Sequence, residues 1–194
     1  MNTPNKLTVL RMILVPFFLL ALTWTFPHNY LVALIIFAVA SITDYFDGML
    51  ARKHNLITNF GKFLDPLADK MLTTSALLGF IAMGYPGAMW VAFITLFREF
   101  LVSGIRLAAV ADGGKVVAAN MWGKAKTVSQ MAAINVILFV EWLATVLKPF
   151  THVELISFLE IYVGTGLLWI SAILTVISGA IYLKDNAKFI NYKE

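Results

Sequence analysis

Long runs of apolar residues follow one another along the chain, separated by short polar joints. Six of these runs reach the roughly 20 residues that an α-helix needs to cross a bilayer. They are Leu7–Phe26, Tyr30–Leu50, Pro66–Gly84, Pro86–Val110, Ala125–Leu147 and Leu155–Leu183. The pattern therefore predicts an all-α fold, an integral membrane bundle of six transmembrane helices in which residues 1–194 form a single domain.

Turn-forming residues stand at the joints, as at Phe26-Pro27-His28-Asn29 and Gly84-Tyr85-Pro86-Gly87. The last apolar run is longer than a bilayer requires, so we expect a tilted helix or an interfacial turn before it. No small-x-small cleavage site follows the first run, so we expect this run to be a retained span.

The composition excludes an ordinary soluble domain, which is typically 45–50% apolar and about 25% charged. Here 60% of the 194 residues are hydrophobic and 13% are charged. So few charges cannot cover a water-exposed surface, and we expect the lipid bilayer to be the solvent. There are no cysteines, which excludes disulfides and cysteine-based metal sites.

Basic residues are concentrated on one side of the predicted bundle. Of the 15 Lys and Arg residues, all but Arg98, which lies within a span, and Lys148 fall near the N-terminus, around the loops between spans two and three and between spans four and five, or after span six. By the positive-inside rule this side faces the cytoplasm. Both termini are therefore expected to be cytoplasmic, and the net charge of +4 indicates orientation rather than nucleic-acid binding.

Four aspartates lie at the predicted cytoplasmic ends of spans two and three. Asp44 and Asp47 are three residues apart, and Asp65 and Asp69 are four apart. Either spacing puts two side chains on one helix face. A short connection predicts that the two helices are antiparallel neighbours whose aspartate pairs face each other.

Clustered carboxylates repel one another and must take up protons or bind cations. Oxygen ligands favour hard ions such as Mg²⁺, Ca²⁺ or Mn²⁺, and two metals are common at phosphoryl-transfer sites. Helix capping is the alternative role. Asp65 before Pro66 has the pattern of an N-cap, and we expect Asp65 to cap span three as well as to bind metal.

The residues around these aspartates follow a known signature. Asp44 and Asp47 are followed by Gly48, Ala51 and Arg52, and then by Gly61, Asp65 and Asp69. This spacing resembles the signature of the CDP-alcohol phosphatidyltransferase family. The resemblance implies a homodimer. It also implies that two divalent metal ions, either Mg²⁺ or Mn²⁺, are bound by Asp44, Asp47, Asp65 and Asp69, and that Asp69 is the catalytic base as well.

The resemblance also implies a binding site for CDP-diacylglycerol. Gly48 and Gly61 would let the nucleotide approach the backbone, although tight helix packing is an alternative role for glycine in membranes. Arg52, next to Ala51, would meet the diphosphate. Asn5, Thr8 and Arg11 share one helix face, and in similar enzymes this segment helps to hold the nucleotide. The expected nucleotide-binding residues are Asn5, Thr8, Gly48, Ala51, Arg52 and Gly61.

Further segments are similar to the bacterial members of the family that use glycerol 3-phosphate. They are Pro4–Arg11, Arg98–Arg106 and Gly123–Thr127. Arg98 and Glu99 lie deep in a span and form either an internal ion pair or part of a basic acceptor pocket. The residues expected to bind the acceptor are Arg98, Arg106, Lys124 and Lys126.

These residues favour transfer of a phosphatidyl group from CDP-diacylglycerol to glycerol 3-phosphate at the cytoplasmic face of the plasma membrane. Other acceptors, namely serine, inositol phosphate or phosphatidylglycerol, fit the same signature. A divalent-cation transporter is an alternative of another class, but transporters place their ligands near the midplane, often on internal repeats. A purely structural membrane protein would leave the aspartates without a role.

Overall fold

The computed structural model describes residues 3–53, 59–111, 121–147, 156 and 158–187, with the backbone alone at residues 3–4, 45–53, 59–60, 62–63, 110–111 and 159. These residues form six α-helices: α1 (Thr3–Thr23), α2 (Asn29–Lys53), α3 (Asn59–Ala82), α4 (Ala88–Ala111), α5 (Met121–Leu147) and α6 (Gly164–Asp185). A π-helical turn, Leu159–Val163, leads directly into α6. The described part of the chain contains no β-strand, so the all-α prediction is confirmed.

Several of the helices suit a membrane. Four segments, namely Asn5–Thr23, Ala88–Ala109, Met121–Leu147 and Glu160–Asp185, are long and apolar enough to cross one. The described side chains of α2 give a shorter apolar stretch, Asn29–Asp44. In α3 the charges of Asp65, Asp69 and Lys70 interrupt the apolar run.

The outward faces of the helices carry large apolar side chains. Phe93, Phe97 and Phe100 on α4 are all more than half exposed. A water-soluble protein rarely shows so continuous an apolar surface. These faces therefore suit contact with lipid tails.

The turns between helices lie at the predicted joints. His28 has a φ of 59°, and Gly84 and Gly87 have φ values of 80° and 75°. This left-handed backbone ends one helix and redirects the chain into the next. Within the long last apolar run, the π-helical turn continues directly into α6.

The start of α3 corrects one prediction. Asp65 was expected to cap this helix, but α3 begins at Asn59, so Asp65 and Pro66 both lie inside it. Proline inside a helix removes one backbone hydrogen bond and favours a bend. Asp65 is therefore a residue of the helix interior, with its side chain available for contacts across the bundle.

Packing in the bundle is organised around α1 and α6. Helix α1 packs against α2 and α3, and α6 packs against α4 and α5. Helices α2 and α3 were expected to face each other directly, but each contacts α1 far more than it contacts the other. The N-terminal helix thus takes part in the interface that carries the aspartates.

The core combines aromatic rings with small residues. Phe18 of α1 and Phe37 of α2 are fully buried, with ring centroids 5.5 Å apart. Buried alanines such as Ala33, Ala40 and Ala76 let the helix backbones approach closely, as is typical of helix packing in membranes. This rigid packing holds the polar side chains at one end of the bundle in place.

Candidate active site

Helix α1 supplies hydrogen-bond donors to carboxylates on two other helices. Nη1 of Arg11 lies 2.5 Å from Oδ1 of Asp44 on α2. The Thr8 hydroxyl donates a 2.6 Å hydrogen bond to Oδ1 of Asp65 on α3. One polar face of α1 therefore connects the first aspartate pair to the second.

This polar face is buried within the bundle. Asn5, Thr8 and Arg11 are 6%, 0% and 0% exposed, and their three-residue spacing gives them a common direction. The predicted shared face is confirmed. A polar face so deeply buried among helices requires partners, and the carboxylates of α2 and α3 provide them.

Three of the four predicted metal ligands lie close enough to interact electrostatically. The negative charge of Asp65 acts on Asp44, and that of Asp44 acts on Asp69. Arg11 offsets part of this repulsion. The side chain of Asp47 lies outside the described residues, and the described side chains do not include a group of three or more that could hold a metal ion.

The donor chemistry of these side chains fits a hard divalent cation. The carboxylates bring oxygen ligands alone, and each has about four lone-pair sites. Arg11 contacts Oδ1 of Asp44, and Thr8 donates to Oδ1 of Asp65. Lone pairs therefore remain on both carboxylates for a metal ion, beside the backbone of α2 that carries Asp47.

A second polar cluster surrounds Glu99 on α4. Oε1 of Glu99 accepts 2.9 Å hydrogen bonds from Arg98 and from Lys126 on α5. Nζ of Lys70 on α3 lies 3.8 Å from Oε2 of Glu99 and donates to the Ser103 hydroxyl at 2.7 Å. One carboxylate thus orients three cations from three helices.

The guanidinium of Arg98 also reaches across to α6. Its Nη2 donates a 2.9 Å hydrogen bond to the hydroxyl of Ser178. Gly179 makes this approach feasible, because a Cβ atom at this position would lie 3.1 Å from Cγ of Arg98. Arg98 is therefore fixed between α4 and α6.

A polar cavity of about 130 Å³ extends from Asp69 to the cluster around Glu99. It lies among α3, α4, α5 and α6. Its polar lining consists of Asp69, Lys70, Thr73, Arg98, Glu99, Arg106, Lys126, Thr127, Gln130 and Tyr182. The predicted catalytic base thus shares one cavity with most of the predicted acceptor-binding residues.

The predicted acceptor residues do not all reach this cavity. Arg98, Arg106 and Lys126 line it, and the ion pair between Arg98 and Glu99 is present, while acceptor binding by these cations stays a prediction. Lys124 is exposed and does not belong to the lining. Two residues along a helix correspond to a rotation of about 200°, so Lys124 and Lys126 point in nearly opposite directions.

The structure describes only part of the predicted nucleotide site. Gly61 is buried near the start of α3. At Gly48, Ala51 and Arg52 the helical backbone of α2 is described, but the side-chain positions fall outside the described part. Among the predicted nucleotide residues, Asn5 and Thr8 are buried on α1, and Thr8 contacts Asp65.

Sequence reasoning missed the central position of Glu99 and the contribution of Lys70. Glu99 was paired only with its neighbour Arg98, because a linear pattern does not show which helices meet. Lys70 follows Asp69 directly and was assigned only a topological role. The sequence did place Lys70 among the charged residues at the cytoplasmic start of span three, and this position could have indicated a role in the site.

A separate polar contact lies at the other end of α3. The hydroxyl of Tyr85, in the turn before α4, donates to the carboxylate of Glu141 on α5. Burial raises the pKa of Tyr85 above its usual range, and the Glu141 carboxylate raises it further. Tyr85 therefore stays protonated as a hydrogen-bond donor that holds the α3–α4 turn against α5.

Comparison with known proteins gives consistent matches over most of the chain. The model of the CDP-alcohol phosphatidyltransferase family matches residues 1–177. A Bacillus subtilis (strain 168) protein named CDP-diacylglycerol–glycerol-3-phosphate 3-phosphatidyltransferase is 40% identical, over 95% of each chain.

Two further relatives agree in their names. A Rickettsia bellii protein with the same name is 36% identical over 97% of each chain. A Mycobacterium tuberculosis (strain ATCC 25618 / H37Rv) protein named probable phosphatidylglycerophosphate synthase is 41% identical, over 92% of this chain and 84% of its own length. The similarity therefore includes the helices that line the cavity as well as those that carry the aspartates.

Proposed function

The chain belongs to the CDP-alcohol phosphatidyltransferase family, and on that premise we propose that it transfers the phosphatidyl group of CDP-diacylglycerol to glycerol 3-phosphate. The products are phosphatidylglycerophosphate and CMP, so the enzyme serves phospholipid biosynthesis. The names of the relatives support this reaction. The observation that carries it is the single cavity shared by Asp69, Arg98, Arg106 and Lys126.

The charges of the cavity favour an anionic acceptor. Four cationic side chains line it, namely Lys70, Arg98, Arg106 and Lys126, against the two acidic ones of Asp69 and Glu99. A phosphate monoester carries a charge of about −1.5 to −2 at neutral pH. The phosphate of glycerol 3-phosphate therefore complements this excess of positive charge, whereas serine, a zwitterion without net charge, complements it less well.

The cationic side chains have different roles in this proposal. Arg98 and Lys126, oriented by Glu99, and Arg106 bind the acceptor phosphate through charge-assisted hydrogen bonds. Lys124 is exposed but follows Gly123, which lines the cavity. It adds positive potential nearby that attracts the acceptor.

The aspartates hold the metal in this proposal. Two divalent metal ions, either Mg²⁺ or Mn²⁺, are bound by Asp44, Asp47, Asp65 and Asp69. Bound metal would coordinate the diphosphate and neutralise negative charge on the departing CMP. Arg11 and Thr8 keep the carboxylates of Asp44 and Asp65 oriented through the contacts described above.

The nucleotide lies beside the aspartates. In this proposal its binding site is formed by Asn5, Thr8, Gly48, Ala51, Arg52 and Gly61. The hydrogen bond from Thr8 to Asp65, a predicted metal ligand, supports this proposal, as does the burial of Asn5 on the same face of α1.

The chemical step requires one proton acceptor. Asp69 takes the proton from the attacking hydroxyl of glycerol 3-phosphate. The hydroxyl oxygen forms a bond to the phosphorus that carries the diacylglycerol. The bond from this phosphorus to the oxygen that bridges it to CMP breaks, and CMP leaves with that oxygen.

The membrane arrangement follows the charge pattern. We propose six spans, with both termini and the active site facing the cytoplasm at the plasma membrane, because the basic residues cluster on that side. The lipid tails of the substrate stay in the bilayer while its headgroup enters the site. The homodimer is a proposal supported by the family resemblance.

An acceptor panel tests the function. Purified protein in detergent is given CDP-diacylglycerol and Mg²⁺ with glycerol 3-phosphate, serine, inositol phosphate or phosphatidylglycerol, and CMP release is measured. We expect turnover with glycerol 3-phosphate to exceed that with the other acceptors by at least about 100-fold. Preference for another acceptor would retain the chemistry and overturn the assigned product.

A further inference from the structure

Two uncharged polar groups that line the cavity are buried without a hydrogen-bond partner in the described part of the chain. Nε2 of Gln130 and the hydroxyl of Tyr182 make no hydrogen bond within the described part of the chain. Both residues are 3% exposed and both line the cavity that contains Asp69. A buried polar group without a partner is unfavourable, and such a group in a native fold calls for an explanation such as a missing ligand.

Their positions tie both groups to the cations of the cavity. Gln130 lies one helical turn after Lys126 on α5, and Tyr182 lies one turn after Ser178, the partner of Arg98, on α6. Residues four apart share a helix face. Each neutral group therefore lies next to a contact that orients one of the cations.

The other uncharged polar side chains of the cavity are engaged elsewhere. The Thr73 hydroxyl donates to the backbone oxygen of Asp69, and the Thr127 hydroxyl donates to that of Gly123. Gln130 and Tyr182 thus differ from both threonines, because their donors are still available to a ligand.

We propose that Gln130 and Tyr182 are specificity-determining residues that recognise the hydroxyl of glycerol 3-phosphate that does not react. This inference rests on the proposed function and deepens it. The acceptor has three polar parts: a phosphate, the attacking hydroxyl and the hydroxyl on C2. The cations suit the phosphate, and Asp69 suits the attacking hydroxyl.

The C2 hydroxyl remains for the two neutral groups. An amide nitrogen donates a hydrogen bond, and a phenol both donates and accepts. Together they can satisfy both the oxygen and the proton of an alcohol. A site that hydrogen-bonds a substrate hydroxyl discriminates strongly against an analogue that lacks it, because its own buried groups then stay unpaired.

The test compares two acceptors that differ by this hydroxyl. 3-Hydroxypropyl phosphate keeps the phosphate and the primary alcohol of glycerol 3-phosphate but has no hydroxyl on C2. We expect the wild-type protein to favour glycerol 3-phosphate in kcat/KM by on the order of 100-fold, measured as CMP release. Tyr182→Phe and Gln130→Met remove the polar groups while keeping similar volume. Each should lower the preference by about tenfold, through loss of activity on glycerol 3-phosphate alone.

Thr165→Val is the matched control. The hydroxyl of Thr165 is also buried without a partner in the described structure, but Thr165 does not line the cavity. This variant should keep the wild-type preference. Thermal unfolding of each purified variant shows whether it is folded, and because the preference is a ratio measured on one preparation, partial loss of active protein does not change it.

The outcomes separate the two proposals. A normal wild-type rate with glycerol 3-phosphate, together with an unchanged preference in both variants, overturns this inference and leaves the proposed function standing. Equal losses on both acceptors also overturn it, since they indicate a structural role. If the wild-type protein releases no CMP with glycerol 3-phosphate, the proposed function fails, and this inference fails with it.

Discussion

Arg11 of α1 and Asp44 of α2 form an ion pair in which Nη1 lies 2.5 Å from Oδ1 and the arginine is fully buried. Three residues earlier on the same face, Thr8 holds Asp65 of α3. The first helix therefore does more than anchor the chain in the membrane. It orients one carboxylate from each aspartate pair, and residues that orient metal ligands strongly affect metal affinity.

Arg11→Gln should weaken the metal site without touching the predicted ligands. Asp44 would lose the side chain that orients it, so we expect a roughly 10–100-fold increase in the Mg²⁺ concentration needed for half-maximal CMP release. Arg11→Lys keeps the charge but not the planar fork, and should fall between this variant and wild type. Lys6→Gln, an exposed charge change on the same helix, is the control. An unchanged Mg²⁺ requirement in Arg11→Gln would contradict the orienting role.

Removal of metal should abolish turnover. We expect no CMP release after treatment with EDTA, and recovery on addition of Mg²⁺ or Mn²⁺, because oxygen ligands prefer hard ions. Asp44→Asn and Asp65→Asn should be nearly inactive while their thermal unfolding stays close to that of wild type. Full activity in metal-free buffer would contradict the metal site altogether.

Much of the fold was predictable because the lengths of the apolar runs and the glycine and proline residues at the joints are local properties of the sequence. The start of α3 was not, because Pro66 follows Asp65 as it would follow a cap, and only the structure shows that the helix continues back to Asn59. Packing partners were also beyond the linear pattern, since short connections made α2 and α3 look like direct neighbours.

Lys124 and Lys126 illustrate what the pattern did contain. Lys126, Gln130, Ile134 and Ile137 are all buried on α5, and this spacing continues the apolar stripe of the helix into its polar end. The same spacing puts Lys126 on the buried face of α5 and Lys124 on the opposite face, so it would have predicted that only Lys126 lines the cavity. The shared cavity of Gln130 and Tyr182 could not be inferred in this way, because it depends on α5 and α6 meeting.

Loss of a cavity cation should affect the acceptor far more than the lipid. Arg106→Ala removes a charged hydrogen-bond donor, and we expect the apparent KM for glycerol 3-phosphate to rise roughly 10–100-fold with little change for CDP-diacylglycerol. Lys184→Ala, an exposed lysine on α6, should leave both constants unchanged. Equal increases for both substrates in Arg106→Ala would indicate a role in the nucleotide site or in the fold.

The contact between Tyr85 and Glu141 should matter for stability rather than chemistry. Tyr85→Phe leaves the carboxylate of Glu141 without this donor, and we expect a loss of about 1–3 kcal/mol in unfolding free energy with wild-type kcat/KM. Trp142→Phe removes an exposed 3.3 Å hydrogen bond to His28 and should cost less. The measurement is thermal unfolding in detergent beside CMP release. A large fall in the kcat/KM of folded Tyr85→Phe would link this end of the bundle to the site.

Asp69→Asn separates a base from a ligand. Asp69 lies one turn after Asp65 on α3 and also lines the proposed acceptor cavity, so it lies close both to other predicted metal ligands and to the cations. Asparagine keeps the shape and one coordinating oxygen but has no useful proton affinity. We therefore expect this variant to bind CDP-diacylglycerol in a Mg²⁺-dependent manner with nearly wild-type affinity, and to lose kcat by roughly 10²–10⁴-fold. Binding and turnover are measured on the same purified preparation, with Asp65→Asn as the comparison that should lose both. If Mg²⁺-dependent binding disappears together with turnover in Asp69→Asn, then Asp69 acts mainly as a ligand, and another group accepts the proton.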